Sequence, residues 1–540
     1  MSEANARAAT YTVRDQVKPV PEPGNEPWRR SLFSALCKAR KDFGGSTIAV
    51  TDFMQTEITF DRLVLGSLIL GEKIRNLGDT SKPIGVMMPN ASAVSAVFFA
   101  CQAVGRVPAM LNYSSGLRSL KAACETAQLS VILSSKAFIE KAGLHDLVEG
   151  LSDRCTFIWL EDVRASISVV DKIKGMVKSK LMLGAADGYA IDPDATAVIL
   201  FTSGTEGLPK GVALTHANIL ANCWQFNELF DLTPGTRLFM ALPVFHAFGL
   251  TVGLVATVIL GVGVYFYPSP LHYKEIPEHI RTSGAKLVIA TDTFLNGWMR
   301  SAKADDFADV ELMVLGAERV REQTRSAFKA NYGKDIVEGY GVTEAAPVLA
   351  ANHPLDNVEG SVGRFLPLID HRIEPVSGLN EGGRLLIKGP NVMAGYIRQD
   401  KPGIVQPPED GWYDTGDIVD LDDGGRITIK GRAKRFAKLG GEMVSLSAVE
   451  AYVSQVWPDD NHAVISLPDA RKGEMLVLVT ERENAELQEV RDWAKKNGIS
   501  ELMLPKKAIS IAQMPVLGTG KLNYGALNEI AAEAQTDKAA

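Results

Sequence analysis

Short β-branched runs bounded by turn residues alternate with helical patterns through the first four hundred residues of this chain, as at Pro83 to Met88, Val131 to Ser134, Lys286 to Ala290 and Leu312 to Leu315. That alternation predicts an α/β body in which helices cover largely parallel strands. Near Gly383 the rhythm changes, and Ile418 to Leu421 and Arg426 to Lys430 read as hairpin strands joined by Asp422-Asp423-Gly424-Gly425. An antiparallel segment is therefore expected to close the large region. Beyond Gly431 the pattern predicts a helix opened by the capping box Ser447-Ala448-Val449-Glu450, strands near Ala463 to Ser466 and Leu476 to Thr480, and a helix from Glu486 to Lys496 stopped by Gly498. These make a small α+β domain, with a tail from Ala531 to Ala540 expected to fray.

A chain of 540 residues accommodates several domains, and 46% hydrophobic with 22% charged residues excludes wholesale disorder and coiled coil. With 57 Lys and Arg against 64 Asp and Glu, the net charge of -7 gives no positive field for a phosphate polymer, so nucleic acid is not expected as a partner. Five scattered cysteines without metal-ligand spacing suit a reducing cytoplasm. The first thirty residues lack a basic start followed by an apolar stretch and read as a flexible lead-in. The uncharged stretch Phe248 to Tyr267 has the length of a bilayer span, but Gly249, Gly253, Gly261 and Gly263 interrupt it. It reads as a buried helix, a turn and a strand.

The strongest local signal is Thr202-Ser203-Gly204-Thr205-Glu206-Gly207-Leu208-Pro209-Lys210-Gly211, which follows the apolar run Ala197 to Phe201. Glycines let backbone N–H groups approach anionic oxygens, hydroxyls donate, and Lys210 adds charge, although the same composition also makes ordinary turns. A Walker loop requires Ser or Thr where Gly211 stands, so a P-loop kinase or GTPase is disfavoured. The segment Glu338-Gly339-Tyr340-Gly341-Val342-Thr343-Glu344 offers an aromatic ring, a hydroxyl and a carboxylate, and fails as a dinucleotide fingerprint because Glu344 replaces the third glycine. Gly411 to Asp417, Lys430 to Lys438 and Gly518-Thr519-Gly520-Lys521 read individually as a turn, a solvated charge run and a turn.

Taken together and in order, these blocks resemble the adenylate-forming superfamily of acyl-CoA synthetases, luciferases and peptide-synthetase adenylation domains, over about residues 30 to 530. SGTEG, LPVFHAFGLTVGL, YPSPLHY, GPNVMAGY and GRAKRFAKLGGEMVSL are most similar to the acyl-acyl-carrier-protein synthetase part of bacterial 2-acylglycerophosphoethanolamine acyltransferases. The resemblance implies an N-terminal adenylation domain at 1–431 and a mobile lid at 432–540 with a hinge near Lys434. It implies that Ser203, Gly204, Thr205, Gly207 and Lys210 cradle the ATP phosphates, with Glu206 beside them either turned away or sharing the metal. Gly316, Ala317, Glu318, Gly339, Tyr340 and Gly341 would form the adenine pocket, Thr343 would meet the α-phosphate, and Glu344 would bind Mg²⁺. Asp417 would accept the ribose hydroxyls and Arg432 would contact ribose and phosphate. His246 would sit at the carboxylate end of an acyl pocket, Lys521 would be the catalytic cation of adenylation, and Lys438 would serve the thioester step.

The implied reaction is activation of a long-chain fatty acid by ATP, then transfer of the acyl group to a phosphopantetheine thiol. Acyl carrier protein is the expected acceptor and coenzyme A the alternative. Arg432, Lys434, Arg435 and Lys438 form a basic patch on which an acidic carrier protein is expected to dock. A lysophospholipid acyltransferase needs H-x-x-x-x-D, and none of the eight histidines has Asp five positions later, so as the synthetase half of a lysophospholipid acyl-transfer system this chain would need another chain for transfer to phospholipid. A non-catalytic nucleotide-binding protein is the remaining class. The expected location is the cytoplasm, with peripheral contact at the inner face of the cell membrane left open.

Overall fold

The computed structural model describes residues 21–22, 24–182, 191–203, 209–379, 381–439, 442–469, 473–516 and 522–536. The chain divides into two compact units, one comprising 1–358, 365–369 and 389–411, the other 359–364, 370–388 and 412–540. The antiparallel strands attached to the large region by sequence reading thus group with the smaller unit.

The larger unit is built on two extended sheets. In the nine-stranded sheet, Ile336–Gly341, Leu312–Leu315, Leu287–Ala290, Arg237–Met240, Gly263–Phe266 and Ile48–Asp52 lie side by side and parallel. The eight-stranded sheet runs Lys401–Gln406, Gly395–Arg398, Pro209–Thr215, Thr196–Ser203, Pro108–Met110, Ile84–Val86, Val131–Ser134, Thr156–Trp159. Strands such as Val131–Ser134 and Leu287–Ala290 are buried at every position, as β-branched runs covered on both faces must be. One core packs Met87, Leu111, Ile132, Ile199 and Ile397 against Leu120, Ile139 and Leu151 of the covering helices.

The stretch from Phe248 folds as expected into helix, turn and strand, but its first part, Phe248–Ala256, is a π-helix, and Gly261 makes the turn at φ 72° before Gly263–Phe266. Gly249 permits this packing, since a Cβ there would lie 2.2 Å from the Pro243 carbonyl oxygen. No helix among the described residues is long and apolar enough to cross a membrane.

In the smaller unit, Asp370–Glu374, Gly383–Lys388, Tyr413–Leu421 and Ile427–Arg432 form an antiparallel sheet. Gly383–Lys388 alternates buried and exposed positions, the mark of a sheet covered on one face. Beyond it, His462–Asp469, Gly473–Thr480 and Lys507–Ser510 form a second sheet. Two sequence expectations need correction here. The helix Leu446–Val456 is capped by Ser445, whose side chain accepts from Ala448 N, so Ser447 is not its cap and Glu450 is free for a different role. Residues 531–536 of the tail expected to fray belong to helix Tyr524–Thr536, and burial of Leu527 and Ala531 against Ala463, Ile465 and Val479 explains why; 537–540 lie outside the described residues.

Candidate nucleotide and acyl site

The candidate residues of the larger unit gather at the C-terminal ends of parallel strands, where open α/β sheets bind ligands. Leu312–Leu315 and Ile336–Gly341 are adjacent, with Leu315 opposite Glu338, so Gly316–Ala317–Glu318 emerges beside Gly339–Tyr340–Gly341. A side chain on Gly316 would meet the Phe248 ring at 3.4 Å and the Gly339 carbonyl at 3.5 Å, which ties the His246 segment to the same place. Ala317 adopts a left-handed backbone at φ 68°, a conformation that concentrates at functional turns. Glu318 accepts from Thr293 N at 3.0 Å, at the first turn of helix Asp292–Met299.

The second motif is less of a loop than the sequence suggests. Glu338 through Gly341 belong to the strand, and Thr343–Ala345 form a single 3-10 turn. Tyr340 is buried while Gly339 and Gly341 are half-buried, which is strand alternation. Glu338 makes a buried ion pair with Arg325, and burial pushes its carboxyl above the ordinary range.

Glu344 is buried and accepts a short hydrogen bond from the Tyr396 hydroxyl. Lys210 Nζ stands 5.3 Å from the centroid of the same Tyr396 ring, so phosphate-loop lysine and presumed metal ligand share one aromatic neighbour. Tyr396 ends GPNVMAGY, and its strand pairs with Pro209–Thr215, Tyr396 opposite Val212. A buried amide network holds this arrangement. Asn222 bonds both the N–H (3.0 Å) and the carbonyl (2.7 Å) of Val348, and Asn391 donates to the Ala345 carbonyl at 2.8 Å. Met393 N donates to the Glu344 carbonyl at 2.8 Å. Sequence reading missed Tyr396, Asn222 and Asn391, although a buried polar pair in the apolar helix His216–Phe230 and an Asn and Tyr inside a quoted block were signals.

Lys210 follows the presumed phosphate loop on a returning antiparallel strand, with Thr202 opposite Lys210 and Ser203 opposite Pro209. A strand that is followed by its antiparallel partner is not the strand-to-helix arrangement of a Walker loop, in agreement with the exclusion from sequence. Gly204, Thr205, Glu206, Gly207 and Lys521 lie outside the described residues.

His246 sits where a turn becomes the π-helix, its N–H donating to Pro243 and its carbonyl accepting from Leu250. The ring packs on Phe245 at 4.7 Å, and buried Asn90 braces the turn through Leu242 O (2.8 Å) and Val244 N (3.0 Å). π-Helices are rare and frequent at functional sites.

In the smaller unit, Asp417 and Arg432 face each other across paired strands, Arg432 Nε lying 2.8 Å from the Asp417 carboxylate. Asp417 is buried and Arg432 exposed. Gly431, at φ 142°, precedes this arginine. Lys434 and Lys438 are exposed, the first in the 3-10 turn Ala433–Arg435, the second on Phe436–Leu439. The predicted basic docking patch loses Arg435. Its guanidinium pairs with Glu450 at 2.6 Å, donates to Val464 O at 2.8 Å and stacks 3.7 Å from the Tyr524 ring centroid, because an arginine with a buried carboxylate partner is an internal brace.

No group of three or more His, Cys, Asp or Glu side chains that could hold a metal exists among the described residues. A single buried carboxylate at Glu344 fits Mg²⁺, which characteristically takes one or two protein carboxylates and completes its shell with phosphates and water.

Comparison with known proteins places the fold first. ATP-bound MatB of Rhodopseudomonas palustris superposes with a TM-score of 0.78 at 23% identity over 92% of this chain and 98% of that one. o-Succinylbenzoate CoA synthetase of Bacillus subtilis gives 0.76 at 21% identity, covering 92% and 97%. The architecture is that of adenylate-forming ligases. Residues 39–397 match the family model described as AMP-binding enzyme, and the chain belongs to that family. Among curated relatives it is similar to long-chain-fatty-acid–CoA ligases of Haemophilus influenzae, 27% identical over 62% of this chain and 61% of the relative, and of Yersinia pestis, 30% identical over 54% of each. A mitochondrial medium-chain acyl-CoA ligase of Macaca fascicularis is 28% identical over 61% of this chain and 56% of its own length. The chain thus spans less than two thirds of the length of these relatives.

Proposed function

We propose that the chain is an AMP-forming acid–thiol ligase that activates a long-chain fatty acid with ATP and passes the acyl group to coenzyme A. The observation that carries this reading is the convergence of Gly316–Glu318, Gly339–Gly341, Glu344 and Lys210 at one end of the large unit in a member of the AMP-binding family. Relatives named as CoA ligases favour coenzyme A over the acyl carrier protein expected from motif resemblance, and loss of Arg435 from the basic patch weakens the docking argument for the carrier.

In this reading a carboxylate oxygen attacks the α-phosphorus of ATP and pyrophosphate departs, leaving acyl-AMP. The thiol sulfur then attacks the acyl carbonyl, AMP leaves, and the thiol proton passes to solvent or to the departing phosphate. Two anions meet in the first step, so positioning and cationic stabilisation dominate. Lys210 and Lys521 supply positive charge, Arg432 and Asp417 engage the ribose and phosphate, and His246 orients the carboxylate. Lys434 serves as hinge and Lys438 as a contact of the thioester step, the smaller domain at 432–540 moving between the two. Glu344 would hold Mg²⁺, which when bound neutralises phosphate charge.

Pyrophosphate release and thioester formation across a fatty-acid series, with coenzyme A and holo-acyl carrier protein in parallel, test the proposal. Thioester on coenzyme A supports it. Thioester only on the carrier protein would replace the acceptor, and no pyrophosphate release with any chain from about C8 to C18 would defeat the fatty-acid assignment.

A further inference from the structure

The helix Val169–Met182 carries its apolar residues on the wrong side for a core. Val169, Val170, Ile173, Met176, Val177 and Leu181 are 47% to 70% exposed. At 100° per residue they fall within an arc of about 140° along one face. The opposite face is the one that attaches the helix to the larger unit. Gly175 is pressed against Ile69 of helix Phe60–Ile74, where an added Cβ would lie 2.5 Å from Ile69 Cγ1. Asp171 pairs with Lys73 at 2.8 Å, Lys178 with Glu72 at 2.5 Å, and Ser179 accepts from Arg40 at 2.9 Å. Helix orientation is therefore fixed by polar contacts and a glycine, and the hydrophobic stripe is held outward.

The charge pattern selects the occupant. From Lys172 to Lys180 the helix has four lysines and no acid, in a chain whose net charge is -7. Lys172 and Lys174 lie on either side of the stripe, and Lys180 stands in its last turn, where a long stem can carry the ammonium out to a headgroup. Apolar residues flanked by lysines on a helix of 14 residues, about 21 Å long, match an anionic lipid surface, with the helix lying in the headgroup plane. A protein partner would more commonly meet an apolar stripe with aromatic and arginine anchors, and this face has neither.

We propose that Val169–Met182 is a peripheral membrane-docking helix that binds anionic bilayers through this stripe and Lys172, Lys174 and Lys180. The test is co-sedimentation of the full chain with vesicles of phosphatidylcholine alone or with phosphatidylglycerol. The full chain should sediment with the anionic vesicles and be released by salt. Ile173→Glu with Val177→Glu should lower partitioning by at least about tenfold, as should Lys172→Gln with Lys174→Gln, since each apolar or basic residue at the interface contributes of the order of 1 kcal/mol. Unchanged thermal unfolding shows that the variants are folded, as expected for exposed positions. Absence of sedimentation, or equal sedimentation of wild type and both variants, overturns the proposal. So does a lipid-free dimer in sedimentation velocity that Ile173→Glu with Val177→Glu abolishes, which would assign the stripe to a second copy. Binding is read without turnover, so its failure leaves the ligase reading untouched.

Discussion

The Tyr396 hydroxyl donates to the buried carboxylate of Glu344, and the ring carrying that hydroxyl lies beside Lys210 Nζ. A hydrogen bond to a carboxylate fixes its orientation. Tyr396 therefore links strand Gly395–Arg398 to the carboxylate proposed to hold Mg²⁺ and to the lysine proposed to face the phosphates.

Removal of that hydroxyl in Tyr396→Phe leaves the ring beside Lys210 but frees the carboxylate. Loss of a charge-assisted bond of about 1.5–3 kcal/mol predicts a fall of roughly tenfold to a hundredfold in fatty-acid-dependent ATP–pyrophosphate exchange, with a raised Mg²⁺ requirement. Exchange equal to wild type at every Mg²⁺ concentration would remove Tyr396 from the site.

Arg432 offers a different separation, of binding from stability. Its guanidinium is exposed while the Asp417 carboxylate is buried, so glutamine, which can still donate to that carboxylate, is the replacement that disturbs folding least. Arg432→Gln is expected to keep the thermal midpoint while raising the KM for ATP about tenfold, the scale of one charge-assisted contact. A lowered midpoint with unchanged KM would make Arg432 a structural residue only.

How far the sequence carried these assignments depends on the scale of the physics involved. The parallel strands were legible because both-face burial demands unbroken apolar runs, and Val131–Ser134 and Leu312–Leu315 stand where the pattern placed them. The glycine segment at 339 was legible as a motif and the one at 316 through the family resemblance, but their adjacency comes from strands whose partners, such as Leu315 and Glu338, are 23 residues apart in the chain. Tyr396 and Asn391 act on Glu344 and Ala345 across about fifty residues of chain, and no local periodicity encodes such a contact. Arg435 misled for the related reason that charge runs look solvated until a buried partner such as Glu450 is placed beside them.

That partner makes a stability prediction. Glu450 Oε1 accepts from Arg435 at 2.6 Å, from Val464 N at 2.7 Å and from the Tyr524 hydroxyl at 3.3 Å, joining helices Leu446–Val456 and Tyr524–Thr536 to strand His462–Asp469. Breaking a buried pair from one side leaves an uncompensated charge at a cost of about 3–5 kcal/mol. Arg435→Glu should accordingly destabilise the smaller unit in chemical denaturation whichever thiol is used. A stable Arg435→Glu chain with selective loss of carrier-protein acylation would restore the docking reading.

His216 makes stability depend on pH. Its Nδ1 accepts from Leu32 N at 3.1 Å, and burial pushes its pKa down to about 4. The unfolded chain, with an ordinary histidine, takes up a proton near pH 6.5 that the folded chain refuses until about pH 4. Its contribution is complete above pH 6.5 and is lost as pH falls to 4, a change of about 3 kcal/mol. Urea midpoints at pH 7 and pH 5 should fall less in His216→Asn, which keeps an acceptor but cannot titrate; identical pH slopes would contradict the assignment.

Two glycines of the same strand should respond oppositely to one methyl group. A Cβ on Gly341 would lie 2.2 Å from the Pro347 carbonyl oxygen and 2.9 Å from its carbon, whereas a Cβ on Gly339 would find its nearest atom, the Ala350 carbonyl oxygen, at 3.5 Å. The first contact is with backbone, which cannot swing aside, so Gly341→Ala must move the turn Thr343–Ala345 that carries Glu344. The expected cost is about 1–3 kcal/mol of stability together with loss of pyrophosphate exchange. Gly339→Ala should fold with a near-native midpoint, and any effect on it should appear in the KM for ATP. If Gly341→Ala matches wild type in both midpoint and exchange, the close approach of strand to turn is not what places Glu344.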